Sequence, residues 1–373
     1  MNTKKTLSFV FLPIVSILFS ANVLSFYTDE KLTDVDAAEK VSQYIHDADA
    51  RLISQNIKIA DIAKQSLKQP KQDHSVIDHQ RTSVNRIDRW LTASSRTLKV
   101  LIPDTENRAV HLTHKNDYKG ANSFIVNLPS AKNAVDANVT SDDSVVYLNY
   151  QQNTDLAIQP FNDSARILTI LNGVDSPSEY SYKVNLPTGG EIKKDDNGGI
   201  LVIDNKGSLI GGFATPWAID SDGKKIPTHY EIRGDSVVQL VEHLDGETHY
   251  PVVADPWLWM NLIYSAEWTS SSAGQTLKVY PTNWARSLAF TSASYAVGIA
   301  GWDELYSKYK NFGRGIKINL TGMRDQYICH QQFVAVKDPK KISWNLDEYR
   351  PNVGYLATVN ASCNPGSGKN IFD

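Results

Sequence analysis

The chain is poor in the residues that usually announce chemistry. Of its 373 residues only two are cysteine, Cys329 and Cys363, which excludes a disulfide-dense scaffold and an all-cysteine zinc module. The net charge is -3 and no Lys/Arg run occurs, so nothing points to nucleic acid. There is no Gly-Xaa-Ser-Xaa-Gly elbow, and His330 is the one histidine after Pro256. A serine triad would have to be built around that residue alone. One histidine with scattered carboxylates does not make a metal site, and no cofactor motif is evident. Beyond the N-terminus no apolar run approaches the roughly 20 residues of a membrane-spanning helix.

What is present begins with export. MNTKKTLSFVFLPIVSILFSANVLS carries two lysines, then an apolar run from Leu7 to Phe19 interrupted by Pro13, then small and polar residues. This predicts a secretory signal peptide over 1–25, cleaved after Ser25 or Ala21, with an uncleaved anchor as the alternative. In an oxidising compartment the two cysteines are expected to form one disulfide. From Pro256 onward twelve Lys and Arg stand against eight Asp and Glu, a net +4, while the preceding part carries -7. The tail is therefore only mildly basic.

Leu32, Val35, Ala38, Val41, Ile45, Ala48 and Leu52 recur at spacings of three and four, predicting a helix over 29–67 that lies on the next domain. A linker follows, so 26–75 reads as a helical accessory segment. Over 85–255, short runs such as TLKVLIP, SVVYLNY and ARILTIL alternate with Asp-Gly and Asn-Gly punctuation, the pattern of an all-β, sandwich-like domain. Asp222-Gly223 reads as a type I′ hairpin turn rather than a calcium loop, because the further ligands are lacking. The remainder, 256–373, holds six of the eight tryptophans. Two helices near Asn283 and Ala300 and strands at NLIYSAEWT, GQTLKVY, YICHQQFVAV, KISWNLDEY and GYLATVNA predict a small α+β domain. The fold class expected is α+β overall.

Several of these stretches resemble known proteins. VNLPTGG (184–190), the segment 200–234 and HYPVVADP (249–256) are similar to the β-rich region of many exported bacterial proteins, chiefly actinobacterial. PTNWAR (281–286), GWDEL (301–305), GMRDQYICHQQF (322–333), WNLDEYRPNVGY (344–355) and ASCNPG (361–366) resemble an uncharacterised C-terminal domain found in such proteins. The resemblance implies export, a boundary near Asp255-Pro256 and the Cys329–Cys363 bond. It supplies no reaction.

Candidate chemistry centres on 324–330. Read as a strand, Arg324, Gln326 and His330 share one face, and Asp325, Tyr327 and Cys329 the other. Arg324, Gln326 and His330, with Arg350 nearby, offer donors for a carboxylate, phosphate or sugar. The structural alternative pairs Arg324 or Arg350 with Asp325 or Asp347. A Cys329–His330 dyad is disfavoured because neighbours on a strand point apart. A phospholipase-like His-Asp is missing, since Gln331 follows His330. Asp303, Glu304, Asp325 and Asp347 are candidates for a glycosidase-type carboxylate pair. Three functions follow as expectations. The first is an exported envelope-associated or extracellular binding or structural protein whose partner is a cell-envelope polymer or surface protein. The second is a secreted hydrolase using His330 and Asp325, and the third is a toxin module on a β-rich carrier.

Overall fold

In the computed structural model the described residues are 34–52 and 81–368, apart from 88, 96–97, 106–108, 116–122, 132–134, 290 and 339. The expected signal peptide and linker, and the part of the first helix beyond 52, lie outside them. Most of the chain folds into antiparallel sheets with a few helices, so the molecule is more β-rich than a balanced α+β fold.

A five-stranded meander runs in sequence order from Val84–Ile87 to Ser123–Asn127. Its strand Leu98–Pro103 shows why: Leu98, Val100 and Ile102 are buried while Lys99 and Leu101 are only partly covered, a period of two with one face inward. A ten-stranded sheet and a three-stranded sheet close over the same core, which includes Leu98, Phe124, Tyr147, Ile167, Tyr182 and Phe213. The strand Ser164–Leu171 at the middle of the large sheet is buried along its whole length. Ala165, Ile167 and Leu171 enter the sandwich core, whereas Leu168 and Ile170 face the other way and meet the helix 34–52, here α1. On α1 the facing residues are Ala38, Val41, Ile45, Ala48 and Leu52, one stripe of a 3.6-residue period.

Arg166 emerges on that covered face and is 5% exposed. It donates two hydrogen bonds to Asp49 of α1, at 2.8 and 2.7 Å, and two to Gln159, with Trp257 stacked 5.2 Å from the guanidinium. A buried guanidinium tolerates desolvation only with such partners.

The Asp-rich turns share one mechanism. Asp195, Asp204 and Asp220 each accept two backbone N–H groups through Oδ1. Gly198, Gly207 and Gly223 take the positive φ that follows. At Asp222-Gly223 only the glycine has positive φ, which corrects the type I′ expectation, since that turn needs both central residues there. Asp220 O accepts Gly223 N, a type I turn ending in a left-handed glycine.

Strands Val252–Ala254 and Trp257–Trp259, on either side of Pro256, both pair with Ser164–Leu171. The chain leaves the large sheet after Trp259. There Glu304 accepts the N–H groups of Leu262 and Ile263, at 2.8 and 3.1 Å, and pairs with Lys308. The tail then forms a three-stranded sheet of Ile263–Ser271, Gly274–Pro281 and Trp344–Asp347. Its helices are α2 (Asn283–Leu288), α3 (Ser294–Tyr309), α4 (Leu320–Cys329), α5 (Ala335–Lys337) and α6 (Tyr355–Asn360), with a π turn at His330–Val334 between α4 and α5. Trp259, Leu262, Trp284 and Leu288 join the tail to the large sheet.

Two expected strands are therefore helices: YICHQQFVAV continues α4 through the π turn into α5, and GYLATVNA contains α6. For α4 the reason is burial. Seven of the ten residues of α4 are buried, so it lacks the wet face by which an amphipathic helix is recognised.

Candidate functional site

The helix at 320–329 rearranges the predicted constellation. At about 100° per residue Gln326 and His330 lie on one side of α4, and Arg324 lies nearly opposite Gln326. The shared face of Arg324, Gln326 and His330 expected from a strand does not form.

Gln326 is fully buried and spends its amide on the sheet: Nε2 donates to Asp347 O at 3.0 Å, and Oε1 accepts Asp347 N–H at 2.9 Å. It extends the edge of Trp344–Asp347 as another backbone would. His330 is also fully buried, its Nδ1–H donating to Gln326 O at 2.7 Å. Burial pushes its imidazole down to about 3, so the ring is neutral at ordinary pH. Neither side chain can meet a solute. Arg350 pairs with Asp347 at 2.5 Å and donates to Pro365 O at 3.1 Å. It tethers the C-terminal segment. The disulfide joins Cys329, at the end of α4, to Cys363, with Cα atoms 5.5 Å apart, and this anchors α6 beside α4.

Arg324 and Asp325 behave differently. Helices α3 and α4 approach closely because Gly298 sits against Ile328 and Gly301 against the Tyr327 hydroxyl. That approach brings Asp303, on the outer side of α3, close enough to Arg324 for the guanidinium to act on its carboxyl. The Asp325 residue is only 4% exposed, and its carboxylate lies 3.9 Å from the half-exposed Arg324. Among the described residues Asp325 accepts no hydrogen bond. Desolvation raises the carboxyl pKa of both Asp303 and Asp325, against the pull of Arg324.

Tyr355, from α6, lies close enough to Asp325 to feel its charge, packs edge-on against Tyr295 of α3 with ring centroids 5.3 Å apart, and donates its hydroxyl to Gln332 Oε1. Burial pushes its phenol up to about 12. Tyr295 is 41% exposed, and Leu356 beside Tyr355 is 77% exposed. The face thus carries two carboxyl groups, one guanidinium that acts on both and two aromatic rings.

Sequence reasoning reached Arg324, Asp325 and Asp303 but not Tyr295, Tyr355 or Gln332. Tyr295 and Tyr355 are sixty positions apart, and only the helical reading of α4 and α6 brings them together.

Residues 263–366 match a family described as a protein of unknown function, DUF2599. An uncharacterized protein of Mycobacterium tuberculosis, Rv0477, is 32% identical over 127 residues, covering 34% of this chain and 79% of the relative. The uncharacterized protein Mb0487 of Mycobacterium bovis aligns to the same extent. The chain belongs to the DUF2599 family. The DUF2599 match opens on the first residue of strand Ile263–Ser271 and includes both cysteines, α3, α4 and α6. The entire face just described lies within the DUF2599 region.

Proposed function

We propose that the protein is an exported, envelope-associated or extracellular binding protein. In this reading the DUF2599 tail, 256–373, is the binding module and the β-rich domain, 85–255, is its carrier. The observation that carries the reading is Asp325: a carboxylate on a nearly buried residue, with no hydrogen-bond donor among the described residues, beside the half-exposed Arg324 and near the half-buried Tyr355, which packs on the exposed Tyr295. Such a group keeps acceptor capacity that the fold does not use and gains a partner when a ligand arrives. Export is supported by the charged and apolar N-terminal sequence and by a disulfide, which suits an oxidising compartment. Among the described residues no helix is long and apolar enough to cross a membrane.

The test is fractionation of cells expressing the full chain and a form lacking residues 1–25, followed by incubation of the purified protein with isolated envelope. Full-length protein is expected outside the cytoplasm and in the envelope pellet. Retention of both forms in the cytoplasm, with no protein pelleting, would refute the proposal.

A hydrolase is the second reading, favoured by the raised carboxyl groups of Asp303 and Asp325, which suit proton transfer better than the buried His330. Wild-type protein should then release soluble fragments from envelope polymer and Asp325→Asn should not. No release by wild type removes this reading.

A further inference from the structure

We infer that the face formed by Tyr295, Asp303, Arg324, Asp325 and Tyr355 binds a polyhydroxylated ligand, a carbohydrate chain. This rests on the binding-protein reading above and assigns it a place and a ligand class.

The charge pattern selects the class. Arg324 lies 3.9 Å from Asp325 and also acts on the Asp303 carboxyl, so an anion such as phosphate drawn to the guanidinium would meet the field of both carboxyl groups. An ammonium group would gain from the carboxyl groups but be opposed by Arg324. A hydroxyl suits all three, because it donates to a carboxylate and accepts from a guanidinium. Asp325 has acceptor capacity that no described residue uses, and although the residue is only 4% exposed its oxygens are not among the enclosed unpartnered atoms, so a ligand hydroxyl can take the place of water there. A hydroxyl placed there satisfies it at small desolvation cost.

The aromatic part fits the same ligand. Tyr295 presents its ring at 41% exposure and is steadied by the edge of Tyr355. The Tyr355 hydroxyl is fixed on Gln332, which holds the ring pair in place before any ligand binds. A sugar offers a C–H face to a ring and hydroxyls to flanking polar groups. Tyr295 and Asp303 are eight residues apart on α3, about 12 Å along the axis, which gives room for more than one sugar unit. The disulfide at the end of α4 holds α6, and so Tyr355, against the same helix.

The experiment uses the purified full chain, wild type and the variants Tyr295→Ala, Arg324→Gln and Asp325→Asn, with Lys317→Ala as a control outside the face. Each is titrated against insoluble peptidoglycan sacculi and against a neutral envelope polysaccharide. Oligosaccharide from the bound polymer, inorganic phosphate and an oligolysine peptide serve as competitors, and thermal melts check folding. Wild type and Lys317→Ala are expected to bind alike. The three site variants should bind at least about tenfold more weakly, and only the oligosaccharide should compete. Should Asp325→Asn melt early, the surface variant Tyr295→Ala carries the test. Undiminished binding by the variants overturns the site and leaves the envelope-binding reading standing. Competition by phosphate or oligolysine alone overturns the ligand class. Absence of wild-type binding to either polymer overturns the inference and the binding reading together.

Discussion

At the scale of single residues, the tail uses its most conspicuous polar groups for folding. His330 is the clearest case. Unfolded, it takes up a proton near pH 6.5; folded, burial lowers that to about 3. Between those values the unfolded chain binds more protons than the native one, so stability is fully present above about pH 6.5 and falls as the pH drops toward 3. The slope contributed by one such group approaches about 1.4 kcal/mol per pH unit. His330→Gln, whose amide can also donate to the Gln326 carbonyl, should show a smaller loss of urea midpoint than wild type between pH 6.5 and 4.5. Identical slopes in the two proteins would show that His330 is not held neutral. Gln326 and Arg350 are of the same kind, one completing a sheet edge and the other holding the C-terminal segment. Asp255, in the YPVVADP stretch, is buried, accepts the Trp217 N–H at 3.0 Å and has a carboxyl pushed up to about 8 by desolvation. It fastens the last strands of the sandwich rather than offering an acid to solvent.

At the scale of elements, the helical face depends on how closely α3 and α4 pack. A Cβ on Gly301 would come within 2.3 Å of the Tyr327 hydroxyl. Tyr327 is fully buried and packed against Trp302 and Trp344, so it cannot swing away. Gly301→Ala gains up to about 1 kcal/mol in helix propensity and loses about 1–3 kcal/mol to overpacking. A net fall in the melting temperature of the tail, followed by tryptophan fluorescence, is expected. A rise would mean that the helices can separate without penalty. The Cys329–Cys363 bond closes a loop with a sequence separation of 34 residues, worth about 3–4 kcal/mol on the chain-entropy account. That contribution matters for a domain whose core is limited to Trp302, Tyr327, Trp344 and their neighbours.

For the whole molecule, the sandwich is covered on one outer face by α1 and joined at one end to the tail. The α1 contact combines aliphatic burial with polar fixtures, of which Arg166 with Asp49 is the most buried and Glu39 with Ser141 and His46 with Asp142 are others. Asp49→Ala leaves Arg166 buried with Gln159 and Trp257 as its remaining partners, at a cost of about 3 kcal/mol. Because the loss falls on the docking of α1, protease cutting within 34–52 should accelerate while the β-rich core stays resistant. Unchanged cutting would mean that the aliphatic stripe, with the Glu39 and His46 contacts, holds the helix without Asp49. At the other end, the stacked rings of Trp259 and Trp284, 6.5 Å apart, and the Glu304 bonds to Leu262 and Ile263 tie the tail to the large sheet. The proposed ligand face is presented from that fixed base.

The sequence by itself determined what depends on local chemistry. The α1 stripe, the alternating strands and the places of the glycine-closed turns follow from residue spacing and turn preferences, whereas the hairpin type at Asp222-Gly223 did not. The disulfide follows from there being only two cysteines. Only the tertiary structure decided that 320–337 is helical and which of its polar residues reach solvent. A helix buried nearly all round has no polar face to display its period, and the fate of Gln326, His330 or Asp325 depends on partners up to dozens of residues away. The same long-range packing assembled Tyr295, Arg324, Asp325 and Tyr355 into one face that no short stretch of the chain announces.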